Sequence, residues 1–478
     1  MAPQAWAFLL LMGLSATAFA QTDFHAGPIF DQFQLTLDSG QRTEAAGPLF
    51  YDEQKGPERT WALPPFFSRD TNPDVESVAD DFLYPLATWR RFGDEHRWQF
   101  IQLFSTSGGR QPDGSFRRRF TLFPIYFQQR STDTNDDYTA LAPFYGQIKD
   151  RLFRDDIFFV LFPLYGQTRK RDVVNYNVLY PFFNWRHGDG MRGWQVWPLF
   201  GHEHKAVTTS TNGFGETQIV GGHDRFFALW PVHFWQNNGI GSDNPEKFRA
   251  DLPLYSYSRS PKRDATSVFW PFFNWMDDRE KKYREWELPW PIVVVARGEG
   301  KTTTRVFPLF SRAHNDVLES DFYLWPLYKF NRIHAAPLDR KRTRILFYLY
   351  QNVTEQNTVT GEGKRRVDFW PLWDYRRDFN GNRRLQILAP LEPILPRNDG
   401  IERNWSPLWS LWREEKNPRT GAASRSLLWN LYRRDTSPAF TRCSLLFGLF
   451  EYQSNASGRR VRLFYIPMAK TSPAAKKP

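Results

Sequence analysis

One short motif governs what this chain can fold into. An aromatic or aliphatic residue, a proline, a second apolar residue and an aromatic define a motif with about 22 copies along its length, the proline present in about eighteen of them. Examples are Phe123-Pro124-Ile125-Tyr126, Phe162-Pro163-Leu164-Tyr165, Trp197-Pro198-Leu199-Phe200 and Trp325-Pro326-Leu327-Tyr328. Pro-Phe-Phe-Asn-Trp occurs verbatim at 181–185 and at 271–275. Copies without the proline include Phe347-Tyr348-Leu349-Tyr350 and Trp429-Asn430-Leu431-Tyr432. Successive motif prolines are mostly 17 to 22 residues apart; the step from Pro198 to Pro231 is longer and holds a polar stretch, 206–224, that reads as one loop. A repeat of this kind stacks one supersecondary unit many times, so the structure of the unit decides the structure of the chain.

The unit reads as a strand. Its apolar runs are short, rich in aromatics and bounded by turn chemistry such as His187-Gly188-Asp189-Gly190 and Asn380-Gly381-Asn382, and no stretch sustains a 3.6-residue period. The expectation is an all-β antiparallel meander of about 22 strands, each centred on one motif, with about 21 residues per strand and turn. Residues 321–332 and 367–377, read as single strands, put Pro326 and Pro371 on an apolar face. Five alternating apolar positions resemble the lipid-facing band of a membrane barrel, about 25 Å tall. A large closed β-barrel is the first expectation. A soluble multi-sheet β-repeat, propeller or solenoid is the alternative, because both strand faces have an apolar centre. Central prolines argue against the barrel: each removes a ladder donor, and an orphaned carbonyl in hydrocarbon costs about 1–3 kcal/mol.

The first twenty residues carry an apolar run, Ala7 to Leu14, and a small-x-small pattern at Ala18-Phe19-Ala20, which predicts a secretory signal peptide cleaved before Gln21. No Lys or Arg precedes the run. The expected organisation is a signal peptide at 1–20, an N-terminal segment at 21–46, a single β-repeat domain at 47–469 and a disordered tail at 470–478. The last aromatic is Tyr465, whereas bacterial outer-membrane barrels usually end in a strand with a terminal aromatic. The lone cysteine, Cys443, excludes an internal disulfide and thiolate metal clusters, and reads as a small core residue. A formal net charge of +11 points to anionic lipid or lipopolysaccharide as partners, with a glycan or a protein partner also open. No nucleic acid is expected. The expected location is the cell outer membrane, or the periplasm or exterior under the soluble alternative.

The recurring Trp/Phe-Pro-Leu-Phe/Tyr strands, over Gly47 to Pro467, resemble exported bacterial proteins built from the same repeat. The resemblance implies export and a β-repeat architecture and brings no activity with it. A generic resemblance to outer-membrane β-barrels rests on the signal peptide, the strand spacing and the aromatic flanks.

Chemistry is sparse. His202-Glu203-His204 places two imidazoles on one strand face but lacks a third ligand and opens the longest loop, so a solvated loop is expected there. His187 and Asp189 fall in a hairpin turn. Gly298-Glu299-Gly300-Lys301-Thr302 lacks the spacing and the following helix of a phosphate loop. The pairs Asp136-Asp137, Asp155-Asp156 and Asp277-Asp278 lie at predicted turns. Asn352-Val353-Thr354, Asn404-Trp405-Ser406 and Asn455-Ala456-Ser457 are sequons, meaningful only in a eukaryotic secretory host. No catalytic, cofactor-binding or metal-binding residue is assigned, and no cofactor is expected. The aromatics are expected as core or interface anchors rather than a glycan platform. The expected function is that of a non-enzymatic cell-envelope barrel acting as pore, scaffold or structural component; the alternative is a β-repeat module that binds a glycan, an anionic polymer or a protein.

Overall fold

A computed structural model of the chain describes residues 29–471 except 112, 212, 214, 216 and 457. The expected signal peptide, and the tail from residue 472, lie outside the described residues. The fold is all-β. Strands numbered in chain order run from β1 (Phe30–Gln34) to β45 (Ile466–Thr471), and 43 of them form one antiparallel sheet in which each pairs with its sequence neighbours. The exceptions are β20 (Thr208–Thr211) and β21 (Thr217–Val220), which pair with each other. They stand outside the ribbon, so β19 (Phe200–Lys205) pairs directly with β22 (Gly222–Ala228). The polar stretch expected as one loop is therefore largely a small hairpin.

The strand count corrects the expectation of about 22 by a factor of about two. Each motif is a reversal between two strands and not the centre of one. Residues 321–332 divide into the end of β32 (Leu318–Tyr323) and most of β33 (Tyr328–Ala335), with Pro326 in the turn between them. Likewise Pro371 separates β36 (Gly363–Phe369) from β37 (Trp373–Arg377). The physical reason is the one that argued against central prolines: a residue without an N–H cannot continue an interior ladder, and it turns the chain instead.

Because the reversals alternate, the ribbon has two unlike rims. Proline turns run along one. Polar turns such as Asp189-Gly190 and Asn380-Gly381 run along the other, where Leu152-Phe153 and Ala336-Pro337 are apolar exceptions. Paired residues form rows parallel to the rims. Counting from the proline rim, the odd rows share one face and the even rows the other. Even rows carry polar and charged side chains, many of them buried: Asp81, Asn184, Gln351, Asp374, Gln386 and Glu451 all lie in row two. Odd rows carry aromatics, including the row-three pairs Trp185–Trp194 and Trp275–Trp286, and these are half-exposed.

A compact apolar core is scarcely developed. One small cluster joins Phe127, Tyr138, Ala140, Ile148 and Phe159. The chain exposes 30164 Å² at a mass of 56.5 kDa, against about 18,500 Å² for a compact protein of that size, as a single-layer sheet requires.

No ladder joins β1 to β45 among the described residues, so the sheet is not a closed barrel. The ribbon curls until its two ends meet through their even-row faces. The Asn430 amide donates to Asp31 and Glu44, and the Arg433 guanidinium lies 3.4 Å from the centre of the Phe33 ring. A clasp completes the contact. Between β38 (Arg383–Ile387) and β39 (Trp412–Lys416) the meander is interrupted by α1 (Asp399–Asn404) and α2 (Ser406–Trp409). Asn398 caps α1 by accepting from the Ile401 N–H, and Pro407 opens α2. Helix α1 sits on β5 (Phe67–Asn72) and β6 (Ser77–Phe82): Arg403 lies 2.9 Å from the fully buried Asp81, Asn404 donates to the same carboxylate, and Trp405 donates to the Tyr84 carbonyl.

Arg403→Met removes one of the two cations on Asp81 and leaves Arg90 as the other. The expected loss is about 2–3 kcal/mol, read as a lower urea midpoint, with amide exchange rising in 67–82 and 399–411. An unchanged midpoint and unchanged exchange in both segments would contradict the clasp.

Candidate functional site

The proline rim is the most distinctive surface of the molecule, and its geometry follows from the motif. In Leu179-Tyr180-Pro181-Phe182 the leucine takes a left-handed conformation, φ 49°, and the Tyr180–Pro181 bond is cis. The Phe182 N–H closes the turn on the Leu179 carbonyl at 2.8 Å. The two remaining donors reach the preceding turn: the Leu179 N–H bonds the Leu164 carbonyl at 2.7 Å, and the Tyr180 N–H bonds the Pro163 carbonyl at 2.8 Å. The pattern repeats. Leu229 and Trp230 donate to Leu199 and Pro198 at 2.6 and 2.7 Å, and Leu324 and Trp325 donate to Leu309 and Pro308 at 2.6 and 2.8 Å. The hydrogen-bond ladder thus runs out of the strands and through these turns. At Pro143, Pro163, Pro198, Pro308 and Pro371 the proline's own carbonyl accepts from the next turn along.

With those backbone groups satisfied, the turns present side chains that are apolar and open. Leu164, Tyr180, Phe182, Leu229 and Trp230 are 47–61 % exposed. Of the expectation that the motif aromatics are core or interface anchors, the core half does not hold at the turns: in a single-layer sheet these side chains have no second layer to enter. Row one adds Phe183, Phe200 and Phe273 on the odd face, and row three adds Trp185, Trp194, Trp235 and Trp275. At about 3.4 Å per residue the apolar band is about 10 Å deep from the turns to row three. Row three is more polar towards the C-terminal end, where it carries Glu414, Arg425 and Arg434.

The inner, even-row face is electrostatically dense. Arg42 lies 2.8 Å from Glu44 and 3.0 Å from Glu53. Glu402 of α1 bridges Arg376 at 2.6 Å and Arg384 at 3.0 Å. Burial alone would raise the Glu402 pKa; the Arg384 and Arg376 guanidiniums overcome that and hold it down to about 2. Asp368 and Asp374 are directly paired across β36 and β37, and Arg366 lies 2.7 Å from the former.

Residues singled out from sequence are dispersed. His202-Glu203-His204 lies inside β19, not in a loop: His202 Nε2 is 2.6 Å from Asp224 Oδ1, and Glu203 Oε1 is 2.6 Å from His223 Nε2. His202 and His223 thereby each have a carboxylate across the strand pair, and no metal-binding group of three or more such side chains occurs among the described residues. His187 lies one residue inside the end of β17 (Phe183–Gly188), opposite Arg192. Gly298 to Thr302 forms a hairpin turn in which Glu299 pairs with Lys282 at 2.8 Å. Asp136 pairs with Arg117, Asp155 accepts from the Arg171 backbone N–H, and Asp277 lies 3.4 Å from Arg284. Cys443 is half-buried on an odd row opposite Arg434 and Tyr452, not in a core. The clasp carboxylates and arginines escaped sequence reasoning. Asn398 before Asp399-Gly400-Ile401-Glu402 was their one local signal, a helix N-cap. No protein-family model matches the chain, and no curated protein matches it.

The Glu402 network gives a pH dependence with a definite sign. The folded pKa lies below the ordinary 4.5, so the stabilisation is complete above about pH 4.5 and is lost as pH falls towards about 2. Glu402→Gln should lower the urea midpoint at pH 7 and leave a progressively smaller gap to the wild type as pH falls towards 2. A gap that is constant with pH would refute the assignment.

Proposed function

We propose that the protein is a non-enzymatic cell-envelope component whose proline-turn rim is seated in one leaflet of a lipid bilayer, that of the outer membrane once the chain has been exported. The observation that carries this reading is the rim itself: apolar side chains exposed turn after turn, above a backbone whose N–H groups are bonded to neighbouring turns. Lipid tolerates irregular backbone only where its polar groups are satisfied, and an apolar surface of this extent on an aqueous rim would promote aggregation. Depth supports a seated rim over a spanning barrel. Strands here are 4 to 8 residues long, whereas a crossing strand needs about 9–11. An apolar band about 10 Å deep suits the 5–10 Å to which interfacial proteins enter a leaflet. The band also ends in cations. Arg377, Arg383 and Arg459 occupy row five of the outer, odd-row face, two rows beyond the apolar band and therefore on its headgroup side. This placement suits anionic lipid or lipopolysaccharide. The curled ribbon then encloses a polar interior standing on the membrane, as a scaffold or a vestibule.

Flotation with vesicles of phosphatidylethanolamine and phosphatidylglycerol tests the reading. The wild type should rise with the lipid and resist carbonate extraction. Leu164→Glu, Leu199→Glu and Leu327→Glu combined should cut the floated fraction several-fold without lowering the urea midpoint, since all three side chains are exposed. A folded wild type that stays at the bottom of the gradient would show a soluble module instead.

A further inference from the structure

A large cavity lies on the inner face of the ribbon, beneath the segment that leads into α1. It encloses about 1300 Å³ between β34 (Leu338–Ile345), β35 (Tyr350–Asn357), β36, β37 and residues 393–397. Its two ends differ. Near the proline rim the walls are apolar, formed by Leu346, Phe347, Leu349, Trp370 and Ile394. From row four upward they are cationic, formed by Arg340, Arg342, Lys364, Arg366 and Arg376, with Arg397 at the mouth.

Several of these cations have carboxylate partners. Lys364 and Arg340 lie 2.6 and 3.5 Å from Glu355, and Arg366 and Arg376 pair with Asp368 and Asp374. Arg342 does not: its guanidinium donates twice to the Gln351 amide oxygen, at 2.6 and 3.0 Å, and among the described residues no carboxylate lies within 4 Å of it or of Arg397. The surplus extends along the inner face to Arg344, Lys329 and Arg305 in row two. Burial first, and then the Arg344 guanidinium, push the Arg342 pKa down; burial and the same Arg344 do so for Lys329. This part of the inner face therefore holds more positive charge than its own carboxylates neutralise, beside an apolar wall whose Leu346, Phe347 and Trp370 side chains stay about half exposed.

We propose that this cavity binds a phosphate-bearing amphiphile, its headgroup on Arg342 and Arg397 and its acyl portion along Leu346, Phe347 and Trp370. The polarity gradient sets the orientation. The tail lies at the level of the proline rim and the phosphate about 10 Å higher, as in a lipid of the leaflet in which the rim is proposed to sit. The volume exceeds the 300–1,000 Å³ of ordinary small-molecule pockets and leaves room for acyl chain as well as headgroup. Arginine suits the task because its planar fork pairs with phosphate oxygens in a bidentate fashion. The inference deepens the membrane-seated reading and rests on it for the source of the lipid, but the cavity can be tested in solution.

Titration calorimetry with dioctanoyl phosphatidic acid below its critical micelle concentration, on the full-length mature protein, is the direct test. Saturable one-site binding is expected, with dioctanoyl phosphatidylcholine and inorganic phosphate each at least tenfold weaker. Failure of the charge distinction would remove the headgroup assignment, and free phosphate binding as tightly as the lipid would make the site an anion site only. Arg342→Gln should weaken phosphatidic acid at least tenfold, and Trp370→Ala should weaken it while leaving inorganic phosphate unchanged. Arg342→Gln, which lies on the inner face away from the rim, should not alter vesicle flotation. Wild-type affinity in both variants would overturn the proposal while leaving the seated rim intact, whereas lost flotation with intact binding would overturn the rim and leave the cavity.

Discussion

The missing N–H of proline is the constraint on which the rest of the structure depends. A chain with a proline in almost every repeat cannot use those positions inside a ladder, so it reverses there. Reversal fixes the strand length at a few residues and puts alternate turns on the same rim. Because the turns donate to one another, as Tyr180 does to Pro163 and Trp325 to Pro308, the rim is a continuation of the sheet and not a fringe of loops. Its leucines and aromatics are held outward by that bonding. An apolar edge follows from the backbone chemistry and not from side-chain packing.

The same single layer explains the inner face. With no second sheet to cover them, the even rows are shielded only by the curl of the ribbon and by the clasp. They are stabilised by charge pairs in place of apolar contact. Buried ion pairs contribute little net stability, because desolvation offsets most of the Coulomb gain, but breaking one strands a charge. Asp81, Arg403 and Asn404 therefore act chiefly to select one curvature: they engage only when β6 and α1 meet. Glu402, held between Arg376 and Arg384, fixes the other side of the same helix to β37 and β38.

Much of this architecture can be read from residues alone. The repeat, the strand class, the antiparallel meander and the polar turns follow from short aromatic runs bounded by Gly, Asn and Asp. The place of the proline within the unit does not. Phe322 to Phe330 alternates as cleanly as a strand, and nothing in the alternation marks Leu324-Trp325-Pro326-Leu327 as a turn except the proline, whose known aversion to ladders was the better guide. Halving the strand length also removes the membrane-spanning band, because five alternating positions in sequence become two short rows and a turn. The clasp was illegible for another reason. Its partners, Asp70, Asp81 and Tyr84 with Arg403 and Trp405, lie more than three hundred residues apart, and no local pattern reports that the ribbon curls.

The two rims differ in what they meet, and site-directed spin labelling measures that difference most directly. In a Cys443→Ser background, Leu164→Cys and Asp172→Cys place one nitroxide at either end of β15 (Tyr165–Lys170), on the proline and polar rims respectively. With the protein on vesicles, the label at 164 should be relaxed by oxygen and shielded from a water-soluble nickel chelate, and the label at 172 should behave in the opposite way. Equal access of the chelate to both labels would contradict the account.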